Sequence, residues 1–340
     1  MHAVSFTTTT PSSTDATTHT EYHAPYYMGG NFGDWIGQLN LSLYTTGATV
    51  VVTGYHDSST PCWTTTLQVG PPPLPGKRGA CLTMRDEGRK GSWVDNIPRL
   101  ISLDPYWSYS WGNNKVAAHP SNVEFVPMLW GAKQDVASTV TRIIAEQSPK
   151  RILGFNEPDK QEQSNIPVER AVQEWTGGFI PSVEGTGVSL VSPSPAAPAG
   201  TWMQSFMDAP GVGDSIDWVG VHWYSHPNFT NFKQRMEEYH AAYGNRPLLI
   251  TEFAVADWNA QSAGGNRHSP ETVLAFMKQA LPWLEATPWI AGYAWFSFAP
   301  DFIPGAPSAL FTEDGSLTTL GQYYASVRTD RPEGDQSIGE

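Results

Sequence analysis

Two short segments place a glutamate directly behind an apolar run. The first reads Arg151-Ile152-Leu153-Gly154-Phe155-Asn156-Glu157-Pro158-Asp159, and the second Pro247-Leu248-Leu249-Ile250-Thr251-Glu252-Phe253. A carboxylate that ends an apolar strand is held by that strand, and Pro158 stiffens the chain just beyond the first one. Either glutamate alone reads equally well as a capped or salt-bridged strand end. Two of them in the same setting, 95 residues apart, favour chemistry. Carboxyls facing each other across a cleft can hydrolyse a glycosidic bond: one, protonated, assists the leaving group, and the other, ionised, attacks the anomeric carbon. Mutual repulsion and partial burial are expected to hold the pKa of the acid above that of the nucleophile.

Aromatic residues gather near the same positions. The chain has 14 Trp, 13 Tyr and 14 Phe, more indole than a core of this size needs. Trp107, Tyr109, Trp111, Trp130, His222, Trp223, Tyr224, Trp258 and Trp295 fall at or near the ends of predicted strands. Sugar rings present apolar C–H faces that stack on indoles, so these side chains are candidate substrate contacts. Period-two alternation puts Trp107, Tyr109 and Trp111 on one face of one strand. Ordinary core filling is the competing reading for each of them. Trp93, Trp175, Trp202, Trp283 and Trp289 lie in helices or connections and are assigned to packing.

Other chemistries find little support. His222 and His226 are a poor metal pair, because Pro227 follows directly, and a core or sugar-binding His222 fits better. No H-E-x-x-H, G-x-S-x-G or Walker pattern occurs. Gly211-Val212-Gly213 lacks the third glycine of a dinucleotide loop and follows no strand. No cofactor and no metal are expected.

The glutamates need elements to carry them. Eight short apolar runs occupy residues 78–84, 103–111, 123–130, 152–156, 187–191, 218–224, 248–253 and 290–298. Segments with helical spacing lie between them, at 135–147, 168–179, 232–243 and 271–284. Eight strand–helix units over about 250 residues are the arithmetic of an α/β fold closed as a (β/α)8 TIM barrel, whose chemistry sits at the carboxyl ends of the strands. An open doubly wound sheet is the alternative, and the missing phosphate loop counts against it. Glu157 ends the fourth run and Glu252 the seventh, so both are expected to project into one mouth from roughly facing sides.

The remainder of the chain bounds the setting. With 20 basic against 33 acidic residues and a net charge of −13, neither nucleic acid nor an anionic membrane surface is an expected partner. No apolar run approaches the ~18 residues of a membrane helix. Residues 1–20 are rich in Ser and Thr and read as a disordered tail. Residues 21–76 read as a β-rich extension, with strand-like alternation at 38–43, 48–52 and 62–69, closed by a connector holding Pro71, Pro72, Pro73 and Pro75. The barrel then spans 77–328, and 329–340 reads as a frayed end. Cys62 and Cys81 either link the extension to the first barrel strand or are two buried thiols. Asn40-Leu41-Ser42 and Asn228-Phe229-Thr230 are acceptor sequons that matter only on a glycosylating route. The start of the chain is not recognisable as a signal peptide.

Asn156-Glu157-Pro158 and Thr251-Glu252-Phe253 resemble the retaining glycosidases of clan A. Further segments resemble glycoside hydrolase family 128 in order along residues 77–325: Lys77-Arg78-Gly79, Tyr106 to Trp111, Val123 to Trp130, Leu153 to Asp159, Trp218 to Tyr224 and Tyr293 to Phe296. The resemblance implies hydrolysis of β-1,3-glucan with Glu157 as acid/base and Glu252 as nucleophile. It also implies that Asn156 hydrogen-bonds the sugar 2-hydroxyl, that Tyr224 orients Glu252, and that Trp295 floors the sugar at the scissile bond. Ser110 stands where relatives often have Asn, which removes one polar sugar contact. The resulting expectation is a monomeric, endo-acting enzyme, extracellular or associated with a cell wall. A non-catalytic glucan-binding protein on the same scaffold is the alternative, and a β-1,4-glucan or mannan hydrolase the third reading.

Overall fold

The computed structural model describes residues 4–9, 17–19, 49–55, 61–68, 74–84 and 96–328, the first four segments by their backbone alone. The expected strand at 38–43 and the expected frayed end at 329–340 lie outside them. The chain divides into two compact units, Met1–Pro72 with Glu184–Gly187, and Pro73–Val183 with Val188–Glu340. The division falls inside the proline-rich connector.

The first unit contains an antiparallel sheet in the order Thr17–His19, Val4–Thr9, Thr49–Tyr55, Pro61–Gln68. Two of these strands come from the segment whose composition predicts a disordered tail. Threonine is β-branched and favours extended backbone, and Thr49–Tyr55 supplies the ladder that Val4–Thr9 pairs with.

The second unit carries eight parallel strands: β1 (Arg78–Cys81), β2 (Trp107–Tyr109), β3 (Glu124–Phe125), β4 (Arg151–Leu153), β5 (Ser189–Val191), β6 (Val219–Ser225), β7 (Leu248–Val255) and β8 (Ile290–Phe296). Six form one sheet in the order β6-β7-β8-β1-β2-β3, and β4 pairs with β5. Single bridges between Met128 and Leu153, and between Val191 and Trp218, join these two sets at both ends. All eight predicted runs therefore supply a strand of one ring. The helices are α1 (Asn96–Leu103), α2 (Val136–Gln147), α3 (Val168–Glu174), α4 (Ile180–Val183), α5 (Thr201–Met207), α6 (Phe229–Ala242), α7 (Pro270–Ala286) and α8 (Thr319–Ser326). Between β2 and β3 the expected helix is absent: residues 110–123 include Gly112-Asn113-Asn114 and Pro120, which favour turns. A π-helical stretch, Trp175–Phe179, joins α3 to α4.

Two cores result from the alternation of the strands. The outer one lies between strands and helices and takes Phe253, Phe276, Tyr293 and Trp295 among others. The inner one fills the ring with Trp107, Tyr109, Met128, Leu153, Trp218 and Leu249. Gly79 makes room for the Trp107 indole, since a Cβ there would stand 2.2 Å from it. Below them the Arg151 guanidinium lies 2.9 Å from Glu124 and over the Trp218 ring.

The first two residues of the barrel fasten three helices. Lys77 Nζ donates to the carbonyls of Leu284, Glu285 and Thr287 at the end of α7. Arg78, fully buried, donates Nη1 to Leu103 O (2.8 Å), Nη2 to Asp104 O (2.7 Å) and Nε to Val327 O (2.7 Å). These carbonyls belong to the ends of α1 and α8, where orphan acceptors and the negative end of the helix dipole favour a cation. Arg78→Met would strand them without donors. We expect it to lower the unfolding free energy by about 3–5 kcal/mol in a denaturant titration, and a loss under about 1 kcal/mol would contradict this reading.

Candidate active site

Backbone hydrogen bonds fix the end of β4. Asn156 N donates to Trp130 O (3.0 Å) and Glu157 N to Ser194 O (2.9 Å), tying the segment to both neighbouring strands. Glu157 has φ +40°, a left-handed conformation uncommon for a non-glycine residue, and it stands directly ahead of a proline. Such strain persists only where surroundings enforce it, and here Asp159 does part of that work. Its carboxylate accepts from the backbone N–H groups of Ala196 and Ala197 at 2.8 and 2.9 Å.

Glu252 is aimed differently. Leu248 and Ile250 face the outer core and Leu249 the inner one, so strict alternation would turn residue 252 outward. The pairing with β6 skips Thr251, running from Val221–Ile250 to His222–Glu252. That bulge re-aims the glutamate into the mouth of the ring. Thr251, the extra residue, exchanges a hydrogen bond with the Ser194 hydroxyl at 3.0 Å.

Three donors then hold the Glu252 carboxylate. Tyr109 Oη (3.1 Å) and Trp111 Nε1 (2.7 Å) donate to Oε1, and Tyr224 Oη (2.5 Å) to Oε2. Burial first, and the Glu252 charge second, push both phenols well above their usual pKa, so they remain donors. His222 sits between the glutamates, with Nδ1 3.0 Å from Glu157 Oε1 and Nε2 3.4 Å from Glu252 Oε1, the latter without hydrogen-bond alignment. Burial disfavours its charge, but the charge of Glu252, the hydrogen bond to Glu157 and the charges of Glu157 and Asp159 outweigh that and raise its pKa. Burial likewise pushes Glu157 up, and the His222 hydrogen bond, the His222 charge and Lys160, 3.9 Å away, bring it below the usual value.

Glu157, His222 and Glu252 each offer an atom within 4.8 Å of the others, a set that could surround a metal ion. Both Glu252 oxygens and His222 Nδ1 already have protein partners, however, which makes the set a hydrogen-bonded network.

A cleft of about 930 Å3 opens above these groups. Trp111, Trp130, Asn156, Tyr224 and Trp258 line it together with both glutamates. Five expected contacts lie outside this lining: His222 is buried between the glutamates, Trp223 packs in the outer core, and Trp107, Tyr109 and Trp295 lie elsewhere. Trp107 has no exposed surface and donates Nε1 to Lys77 O inside the ring. Tyr109 is equally buried, so its hydroxyl serves Glu252 and leaves no face for a sugar. Trp295 points outward between Phe253 and Phe276, its Nε1 bonded to Ser308 O, and the next residue, Phe296, lines the cleft. Cys81 lies under the cleft as a buried free thiol, and the Cys62 side chain is outside the described residues.

Several lining residues went unseen in the sequence. Lys160 and Gln163 follow Glu157 at one-turn intervals, and their only signal is that spacing. Phe302, 43% exposed, joins Trp258, 55% exposed, at one flank. The segment bearing Trp258 is anchored by buried Asp257, which accepts from Arg267 Nε (2.9 Å) and Nη2 (2.6 Å) and is held well below the usual carboxylate range by that hydrogen bonding.

Residues 94–324 match the family described as glycosyl hydrolase catalytic core. The chain belongs to that family. This glycosyl hydrolase is similar in structure to an endo-β-1,3-glucanase of glycoside hydrolase family 128, subgroup II, from Sorangium cellulosum, at 26% identity and TM-score 0.59 over 75% of this chain and 100% of the other. It is similar at 25% identity and TM-score 0.59 to a mutant subgroup I endo-β-1,3-glucanase from Amycolatopsis mediterranei solved with laminaritriose and laminaribiose, over 74% and 98% of the two chains. A subgroup VI exo-β-1,3-glucanase from Aureobasidium namibiae, at 24% identity and TM-score 0.59 over 75% and 97%, shares the fold. No curated protein matches the chain. Motif order, fold and these likenesses support membership of family 128.

The Glu157–His222 pair sets a pH dependence. Its last proton resides on His222, whose pKa is raised, and can pass to Glu157 across their 3.0 Å hydrogen bond. If Glu157 is the acid, the alkaline limb of kcat/KM reports loss of that proton and lies above the ordinary imidazole range. His222→Asn removes the shared site, leaving Glu157 to titrate as a carboxyl, so the limb moves to lower pH. An unmoved limb in a pH–rate profile would refute the coupling.

Proposed function

We propose that the protein is a retaining endo-β-1,3-glucanase acting by double displacement. The observation that carries the reading is the pair of glutamates with oxygens within 4.8 Å at the mouth of the ring, inside a cleft walled by indoles. Retaining enzymes keep their carboxyls ~5–5.5 Å apart and inverting ones ~6.5–9.5 Å, which leaves room for a water. Glu252, fixed by three donors, attacks the anomeric carbon. Glu157 protonates the departing glycosidic oxygen. A bound sugar replaces water around Glu157 and so strengthens the burial that favours its neutral form, with the proton drawn from His222. Glu157 then takes a proton from the water that releases the glycosyl-enzyme. The laminari-oligosaccharides held by the Amycolatopsis relative support the β-1,3 linkage.

Endo cleavage is favoured by aromatic surface on both flanks, Trp130 after β3 on one side and Trp258 with Phe302 after β7 and β8 on the other. A chain gripped on both sides is cut internally. A polymeric substrate of this kind supports an extracellular or wall-associated enzyme, and the self-contained site suits a monomer.

The decisive measurement incubates wild type, Glu157→Gln and Glu252→Gln with laminarin, cellulose and mannan. Wild type should shorten laminarin to a mixture of lengths and leave the others, and each variant should lose about 10²–10⁴-fold or more. Intact laminarin after incubation with wild type would sink the reading, and binding without turnover would point to a glucan-binding protein. On an activated substrate, azide should rescue Glu252→Ala, and should rescue Glu157→Ala with a glycosyl azide of retained configuration. Separately, Trp258→Ala should raise KM for long laminari-oligosaccharides roughly fivefold, about 1 kcal/mol of stacking, with kcat little changed.

A further inference from the structure

We infer that Gln163 is a positioning residue that sets which end of the Asn156 carboxamide meets the sugar. The inference rests on the glycosidase reading above. Asn156 is 3% exposed yet lines the cleft. Its Nδ2 donates to Gln163 Oε1 at 3.3 Å, whereas its Oδ1 is buried without a hydrogen-bond partner. Nothing on the oxygen side therefore opposes a half-turn of the amide, and the hold on its nitrogen comes from Gln163. An amide nitrogen has two hydrogens. With one committed to Gln163, the other is directed by the planarity of the group, and the substrate hydroxyl beside the anomeric carbon is the acceptor within the cleft.

Gln163 is itself placed by the loop that follows the strained Glu157. Lys160 N donates to Glu157 O (3.1 Å) and Gln163 N to Lys160 O (3.1 Å), so two successive turns bring residue 163 back beside residue 156. The loop that strains the acid thus also orients its neighbour. Swapping the amide would turn an oxygen toward a position that needs a donor and would forfeit the hydrogen bond from its nitrogen to the Gln163 oxygen.

The test uses an aryl β-laminarioligosaccharide and its analogue lacking the 2-hydroxyl on the sugar next to the aryl group. Wild type should turn over the full substrate and penalise the 2-deoxy analogue strongly. Gln163→Met, which offers no oxygen acceptor, should lower kcat on the full substrate roughly tenfold with KM within about twofold, and the penalty on the 2-deoxy analogue should shrink by about the same tenfold. Gln163→Glu, whose carboxylate can only accept, should restore the 2-hydroxyl discrimination, measured at its own pH optimum. A Gln163→Met variant that slows both substrates equally, or neither, would overturn the inference while leaving the glycosidase reading intact. Absence of wild-type turnover on the full substrate would instead remove the reading beneath it. Thermal unfolding of both variants separates these outcomes from a folding defect.

Discussion

Two carboxylates held a few ångströms apart repel each other, and most of what surrounds this cleft answers that repulsion. His222 lies between them with a raised pKa, and Lys160 stands off the far oxygen of Glu157. Two phenols and an indole donate hydrogen bonds to Glu252. These supports treat the two glutamates unequally. Glu252 is surrounded by neutral donors that have no proton to spare, while Glu157 is bonded to a residue that does. Identical side chains can therefore take opposite roles in acid–base chemistry.

The scaffold accepts local irregularity to create this asymmetry. The bulge at Thr251 interrupts β7 and turns one side chain through the wall of the ring. Glu157 and Trp111, at φ +40° and +53°, occupy backbone conformations that L-residues adopt at a cost. Both follow strands on the cleft side, one being a glutamate of the pair and the other a donor to its partner. The regular parts of the barrel, with their interdigitated aromatic layers, resist relaxation of these three places.

Much of this was legible in the sequence because strands and their polar ends leave a periodic mark. The eight runs, the two glutamates and Tyr224 emerge from apolar segments punctuated by single polar residues. The misplaced aromatics share one cause: a strand's face and depth depend on a register that a string of letters does not fix. Trp295 and Phe296 differ by one position, and only Phe296 reaches the cleft. Trp107 and Tyr109 do point inward, as alternation requires, but too deep in the ring to reach a ligand. The helix expected between β2 and β3 was an error of composition, where turn formers outweighed the general pattern, and threonine-rich strands occur at Val4–Thr9 and Thr17–His19. Gln163 left only its spacing from Glu157, since its place beside Asn156 depends on how a loop folds back.

The fastening of Lys77 and Arg78 has a consequence for how the molecule comes into being. Apart from α1, their carbonyl partners lie 207 to 249 residues further along the chain. While the carboxyl-terminal fifth is missing, whether during synthesis or after truncation, two cations at the head of the barrel must stay in water, and the ring cannot shut around them. Long-range closure of this kind carries a large loop entropy and slows folding. A clip joining the first strand to the last two helices therefore makes completion of the chain a condition for assembling a cleft whose two glutamates are both made long before it.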